Sequence, residues 1–381
     1  MAGNSITAKK TNKKFMVLSA LGIIMVVDLH CNISINLLNS FIPYESFFMP
    51  LFIFISGYFN KVDEKTDLGA YVKKKGKSLL IPFVVIGVVM FWLEWAINSY
   101  KFGAVQPLTA ETFILPVVNV FTVGYPVLLT SPMWFVPSLL LVTLVYAVLK
   151  KAFGKKWNSI VAFVIFAILN IAVVWSANTY GDSQVYFLLL QPLKCVFFLP
   201  FMELGVLYRE KIEPALDKLN KGGNVILLIL LLLLNVARMM CVPNPKDIIM
   251  NSLYNLGGFT SPYYVTPLIS SVIGILFWVT VAGIIGDEVG DNRVVNYISE
   301  NTFFIMGFHL FFFNVINCIL LFVNNNISAV PGFDTGSFRA LSYYIWDQYP
   351  QFKLAYFILG LAGPLLLKLL VGKIRKSVLK R

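Results

Sequence analysis

The sequence predicts an all-α fold, a polytopic membrane bundle of about ten transmembrane helices. Hydrophobic residues make up 58% of the 381 residues and charged residues only 13%, whereas soluble domains carry about a quarter charged residues. The apolar residues also cluster in runs long enough, at about 18 residues or more, to cross a hydrocarbon core of roughly 30 Å. A soluble fold would leave these runs exposed as apolar patches, which excludes the soluble classes.

The apolar runs divide the chain into a basic N-terminal tail (1–14), a single integral membrane domain (15–372) and a basic C-terminal tail (373–381). Segment 112–129 contains two prolines and a glycine and is expected to be a re-entrant or lid-like outer loop rather than a span. The ten predicted spans are 15–37, 41–60, 79–98, 133–149, 158–176, 185–208, 223–241, 264–286, 301–323 and 353–372.

The basic residues lie on one side of this arrangement. With ten spans, 24 Lys and Arg residues fall on the side of the two tails and three fall in the opposite loops. Because cytoplasmic loops retain Lys and Arg, both termini are predicted to be cytoplasmic. The formal net charge of +12 is therefore attributed to membrane topology and contact with anionic lipids, and no nucleic-acid partner is expected.

The cysteine pattern predicts no metal site. The four cysteines form no CxxC motif, so neither a zinc centre nor a disulfide framework is indicated. They are Cys31, Cys195, Cys241 and Cys318.

The residues most able to carry chemistry are ionisable groups within the spans, where a charged side chain costs roughly 2.5–3.5 kcal/mol. His30 and His309 are the only histidines in the chain, and imidazole exchanges protons near neutral pH. Both are candidate catalytic residues. Asp28 is a third candidate, as an orienting partner. Residues two apart face different sides of a helix, so if Asp28 contacts a histidine, that histidine comes from another helix.

Six segments in order along the chain resemble motifs of acyltransferase family 3, especially its fucose O-acetylase-like branch. They are MVLSALGIIMVVDLH, FFMPLFIFISGYF, YVKKKGKSLLIPF, MWFVPSLL, FFLPFMELGVLY and NYISENTFFIMGFHLF. Together they extend from about residue 16 to 310. The first one ends on His30, which stands where the family has its proposed catalytic histidine.

The resemblance implies an integral enzyme of the bacterial plasma membrane. It would move an acyl group, expected to be acetyl from acetyl-CoA, onto a hydroxyl of a cell-surface polysaccharide or lipid-linked glycan precursor. His30 would act as general base or carry the acyl group transiently.

Two sets of residues are candidates for holding the substrates, and each has a structural alternative. The first set would bind the phosphates of CoA, although positive-inside charge explains these cations equally well: Lys14, Lys74, Lys75 and Lys77. The second would contact the acceptor, although helix packing and an interfacial aromatic belt would also account for it: Ser56, Tyr58, Trp134 and Phe135.

Three positions depart from the family pattern. Ser19 stands in place of the usual basic residue, Met16 in place of an acidic one, and Phe48 in place of the histidine of the second span. A degenerate, non-catalytic member is therefore an open alternative. A transporter or flippase for a small polar solute or glycolipid is another, although no internal repeat is visible.

Overall fold

The computed structural model describes residues 12–31, 38–181, 183, 185, 188–241, 264–341 and 344–378. Over these residues the secondary structure is helical, with no β-strand, which confirms the predicted all-α class. Thirteen helices are used below: α1 Lys13–Cys31, α2 Phe48–Tyr58, α3 Leu68–Phe102, α4 Ala110–Thr122, α5 Leu128–Lys156, α6 Ser159–Tyr180, α7 Leu190–Leu216, α8 Lys221–Cys241, α9 Thr266–Val289, α10 Arg293–Glu300, α11 Thr302–Asn326, α12 Thr335–Ala340 and α13 Pro350–Val378.

Nine of these helices within the described residues are long and apolar enough to cross a membrane. Both predicted tails are partly helical. Lys13 and Lys14, assigned to the N-terminal tail, form the first turn of α1. Residues 373–378, assigned to the C-terminal tail, continue α13. Both ends are helical because Lys and Arg, which are good helix formers, continue the helix past the end of each apolar run.

The predicted second span, 41–60, does not form a helix of membrane-spanning length. Instead of a helix over 41–60, the chain forms a short 3-10 turn at Tyr44–Ser46 and then the 11-residue α2. Pro50 lies in the first turn of α2, and proline is tolerated only there because it lacks an N–H and clashes with a preceding turn. Continuous helix from residue 41 is therefore disfavoured.

The 3-10 turn and α2 together nevertheless return the chain along most of the length of α1. At one end, the Tyr44 hydroxyl donates to Asp28 Oδ2 at 2.6 Å. At the other, the Tyr58 ring stacks on Phe15 with centroids 3.8 Å apart. Asp28 and Phe15 are 13 positions apart, or about 20 Å along a helix. Tyr58 thus lies on the side where α1 begins, which we call the inner side.

Helices α2 and α7 cross at two glycines. A Cβ added at Gly57 would lie 2.0 Å from the Met202 carbonyl oxygen, and one at Gly205 would lie 2.2 Å from that of Phe54. Only glycine permits so close an approach of two helix backbones. The segments FISGY and FMELGVLY, about 150 residues apart in sequence, are thereby held in direct backbone contact.

The segment from Gln106 to Leu129 enters and leaves the bundle at the same level of α3. The Trp95 indole donates to the Gln106 carbonyl at 2.9 Å, and the Leu129 amide donates to Glu94 Oε2 at 2.7 Å. Between these points the chain reaches Gly87, where an added Cβ would lie 3.0 Å from Pro126 Cγ. Gly87 is about 10 Å further along α3, so the segment dips inward and returns without crossing.

Helix α10 joins the start of α1 to the second half of α13. Ser299 Oγ lies 3.4 Å from Met16 Sδ, and the Tyr297 hydroxyl donates to the Leu365 carbonyl at 3.3 Å. Since α13 continues beyond Leu365 to Val378, it ends on the inner side, where α1 begins. The cytoplasmic identity of that side stays a prediction.

Candidate active site

The two histidines of the sequence meet in the middle of the bundle. His30 lies in the last turn of α1 and His309 in α11. His309 Nε2 is 3.4 Å from His30 Nδ1, and the ring centroids are 4.9 Å apart. The rings come together because α11 packs against the outer half of α1, bringing residues 279 positions apart into contact.

Backbone carbonyls indicate where each ring carries its proton. His30 Nδ1 lies 2.7 Å from the Val26 carbonyl oxygen, and His309 Nδ1 lies 3.0 Å from that of Ile305. A carbonyl only accepts, so both neutral rings are assigned protons on Nδ1. His309 Nε2 then presents a lone pair toward His30 Nδ1–H, and His30 Nε2 keeps its own lone pair.

The two rings differ in access. His309 is fully buried and packs edge-on against Phe313 with centroids 5.7 Å apart. His30 is only half-buried, and its polar contacts among the described residues are all at Nδ1. His30 therefore combines a free basic nitrogen with partial exposure, which is the combination a general base requires.

Asp28 is 1% exposed and anchors the outer end of α1. Its Oδ2 accepts the Tyr44 hydroxyl at 2.6 Å. This carboxylate and His30 point to different faces of α1, as predicted from their spacing. Asp28 holds the neighbouring turn, from which His30 projects.

Lys14 and Tyr58 belong to a different group on the inner side, which we call the inner cluster: Asn12, Lys14, Tyr58, Tyr208 and Glu213. Lys14 Nζ pairs with Glu213 Oε1 at 2.6 Å, and the Tyr58 hydroxyl donates to Glu213 Oε2 at 2.7 Å. The Asn12 amide donates to the same hydroxyl at 3.1 Å. Tyr58 is therefore not beside His30.

The other predicted donor-binding cations lie where α3 begins. Lys74 and Lys77 are exposed, and Lys75 is half-buried with its Nζ 5.6 Å from the Tyr71 ring centroid. Ser56 is half-buried one residue before the Gly57 crossing. The Asn60 amide, two residues after Tyr58, donates to the Tyr71 hydroxyl at 3.4 Å, so the three lysines lie on the inner side together with the inner cluster.

Trp134 and Phe135 are buried rather than presented to an acceptor. Trp134 is 5% exposed and Phe135 is 2% exposed. Lys194 Nζ lies 4.5 Å from the Trp134 ring centroid, a cation–π distance. Their neighbour Met133 packs against α11, because a Cβ added at Gly307 would lie 3.1 Å from Met133 Sδ. This turn therefore contacts the helix that carries His309.

Several hydrogen bonds made by buried tyrosine and asparagine side chains were not predicted from the sequence. The Tyr356 hydroxyl and the Asn317 amide form one bonded pair in the outer half of α11, and the Tyr146 hydroxyl donates to Glu203 Oε2 at 2.6 Å. Tyr44, the partner of Asp28, is a third. Tyrosine and asparagine at apolar spacing look like interfacial residues, so no sequence signal marked these contacts. Among the described residues, no group of three His, Cys, Asp or Glu side chains is placed to hold a metal ion.

Comparison with known proteins gives one family match, which covers nearly the whole chain. The acyltransferase domain of family 3 matches residues 15–369, which confirms the resemblance carried by the six motifs. The fucose O-acetylase-like branch stays a prediction. No curated protein and no solved structure gives a significant match.

Proposed function

Because this chain belongs to acyltransferase family 3 and is therefore a membrane acyltransferase, we propose that it transfers an acetyl group from acetyl-CoA to a hydroxyl of a cell-surface polysaccharide or lipid-linked glycan precursor. The observation that carries the proposal is the His30–His309 pair, in which His30 Nε2 has no hydrogen-bond partner among the described residues and can take a proton. The proposed location is the bacterial plasma membrane with both termini cytoplasmic.

His30 acts as the general base of the transfer. Its Nε2 takes the proton of the acceptor hydroxyl as the oxygen attacks the thioester carbonyl. The tetrahedral intermediate collapses with loss of the CoA thiolate, which recovers the proton from His30 and leaves as the thiol. The products are the O-acyl ester and free CoA.

His309 supports the protonated state of His30. When Nε2 of His30 takes a proton, the positive charge is shared with Nδ1–H, which faces the Val26 carbonyl and the lone pair of His309 Nε2. Two acceptors directed at one N–H stabilise an imidazolium. His309 is thus a positioning residue, and Asp28 contributes by holding the outer end of α1 through Tyr44.

Acetyl-CoA approaches from the inner side. The exposed ammonium groups of Lys74 and Lys77, with half-buried Lys75, offer cations to the phosphates of CoA. Lys14 is already paired with Glu213, so we assign it to the wall of the approach rather than to direct phosphate contact. His30 is 17 positions from the start of α1, or about 26 Å, a distance that the extended pantetheine arm covers in large part.

The test is His30→Ala in the native host. We expect transfer to fall by about 100- to 10,000-fold, the usual contribution of a positioned general base. Base-labile esters on the surface glycan, quantified by mass spectrometry, should disappear while the amount of exported glycan is unchanged. Membrane levels of the variant serve as the control for folding.

Two results would contradict the proposal. Lost glycan export with intact esters would favour the transporter or flippase. Unchanged esters in cells that contain the variant would indicate a non-catalytic member, in agreement with the departures at Ser19, Met16 and Phe48.

A further inference from the structure

A cavity of about 510 Å3 lies between α3 and the re-entrant segment; its walls mix apolar side chains with charged and amide groups, and we call it the polar cavity. Its walls include the Glu94 carboxylate, the Arg339 guanidinium and the amides of Asn98 and Asn119, with the Trp95 indole beside them. The volume is in the range of small-molecule sites. Donors, acceptors and an aromatic face are the groups that bind a sugar.

An apolar groove of about 460 Å3 lies on the lipid-facing side of the same two helices. Val84 and Val88 of α3 form one wall, and Val117, Val120 and Phe121 of α4 form the other. Val117 is 60% exposed and Phe121 72% exposed. In a membrane protein such side chains face hydrocarbon, so the groove opens to acyl chains.

The polar cavity and the apolar groove share three lining residues, Phe91, Pro116 and Pro126. They are therefore neighbouring compartments that meet at these three residues. A water-soluble sugar could use only the first compartment and a bilayer lipid only the second. A molecule that uses both has a polar head and a hydrocarbon chain.

We propose that this composite site binds the acceptor as a lipid-linked saccharide, with the sugar in the polar cavity and the hydrocarbon chain in the apolar groove. The proposal rests on the acyl-transfer function above and specifies its acceptor class. The cavity carries one carboxylate, Glu94, and two cations, Lys101 and Arg339. This balance suits a neutral or anionic sugar.

The polar cavity is connected through one turn to the helix that carries His309. Leu128 lines the cavity and begins the 3-10 turn of Leu128–Trp134. Met133 of that turn contacts α11 at Gly307. The cavity and His309 are therefore both next to elements that pack against each other.

The two compartments contribute differently to binding. Moving a chain from the bilayer into an apolar groove gains little free energy, because lipid tails are as apolar as the groove. The groove therefore orients the acceptor and holds its sugar at high local concentration, while the polar cavity selects the sugar. Blocking the groove should weaken the binding of a lipid-linked acceptor and leave the binding of a soluble acceptor unaffected.

The other face of α3 provides a matched control. An apolar groove of about 510 Å3 runs there between α3 and α11, lined by Leu93, Ala96, Phe311 and Ile319 among others. None of the described residues that line it is charged. Bilayer lipid should occupy both grooves, whereas a glycolipid should prefer the groove beside the polar cavity.

The first experiment is photolabelling of the purified full chain in phosphatidylethanolamine vesicles. The probe is an alkyl glucoside with a diazirine in its chain, and the control probe is the corresponding alkyl alcohol. We expect the glucoside to label peptides from residues 80–92 and 113–121 in preference to residues 311–322, and the alcohol to label both grooves alike. Equal labelling of both grooves by the glucoside would overturn the proposal.

The second experiment compares acceptors. Val117→Trp places a large ring in the groove and should raise KM for the alkyl glucoside by roughly tenfold, with KM for methyl glucoside unchanged. Ile319→Trp, in the control groove, should change neither. An unchanged KM for the alkyl glucoside in Val117→Trp would contradict the proposal and indicate that the groove holds only structural lipid.

Failure of this proposal and failure of the proposed function are distinguishable. If acetyl-CoA supports transfer to neither glucoside, the acyl-transfer function is contradicted for these acceptors, and the photolabelling alone decides whether the composite site binds a glycolipid. If transfer occurs without the predicted labelling, the acyl-transfer function is supported and the composite glycolipid site is contradicted.

Discussion

The inner cluster and the histidine pair are built alike but differ in what they leave free. Each joins a residue of α1 to residues from helices far away in sequence. In the inner cluster the charges of Lys14 and Glu213 cancel, and the Tyr58 hydroxyl both accepts and donates. In the histidine pair, by contrast, His30 Nε2 has no partner among the described residues. We infer that satisfied polar groups hold the bundle together, whereas the unsatisfied nitrogen is available for chemistry.

The largest effect that would sharpen this comparison is expected at His309. His309→Phe removes the lone pair that faces His30 Nδ1–H and should lower kcat by about 100-fold, within the range for proton-transfer catalysis, with KM for acetyl-CoA unchanged. His309→Gln keeps an acceptor oxygen and should recover part of the loss. Steady-state kinetics on purified protein measure both.

A simple packing role for His309 predicts something else. It would lower the thermal midpoint of His309→Phe and change kcat and KM together, with no recovery in His309→Gln. That result would remove the distinction between the two regions.

An intermediate effect is expected on stability in the inner cluster. Glu213→Gln removes the closer carboxylate partner of Lys14, and the Lys14 and Glu213 side chains are both less than one-fifth exposed. The second partner, Asp217, lies 3.9 Å from Lys14 Nζ and is largely exposed. The loss should destabilise the protein by about 1–3 kcal/mol, seen as a lower thermal midpoint in detergent with kcat retained.

The matched control is Asp291→Asn, which breaks the exposed Lys13–Asp291 pair and should leave the midpoint unchanged. A fall in kcat for Glu213→Gln at unchanged stability would break the comparison, because it would place the inner cluster in the chemistry.

The smallest effect is expected at the exposed lysines of α3. The double variant Lys74→Ala with Lys77→Ala should raise KM for acetyl-CoA by about two- to tenfold, since exposed charge contacts contribute little each. The difference should shrink as salt is added.

A control pair, Lys155→Ala with Lys156→Ala, removes the same charge from another exposed inner turn. If both double variants raise KM equally, net surface charge rather than a phosphate site explains the effect.

The sequence predicted part of the site but not its arrangement. His30 and His309 were identified because intramembrane histidines are costly and these are the only two. Their contact depends on how α11 packs against α1, which no local pattern encodes. Tyr44 as the partner of Asp28, and Tyr58 as part of the inner cluster, follow from the path of α2 rather than from spacing along one helix.

The sequence by itself determined the membrane bundle, the family and the identity of the two histidines. Apolar run length and residue type are local quantities, and the cost of exposing backbone or charge to lipid acts on each segment separately. Only the tertiary structure decided that α2 is short, that residues 106–129 dip and return, and which polar groups meet. Those outcomes depend on contacts between segments distant in sequence, such as the Gly57–Gly205 crossing, whose geometry exists only once the helices have packed.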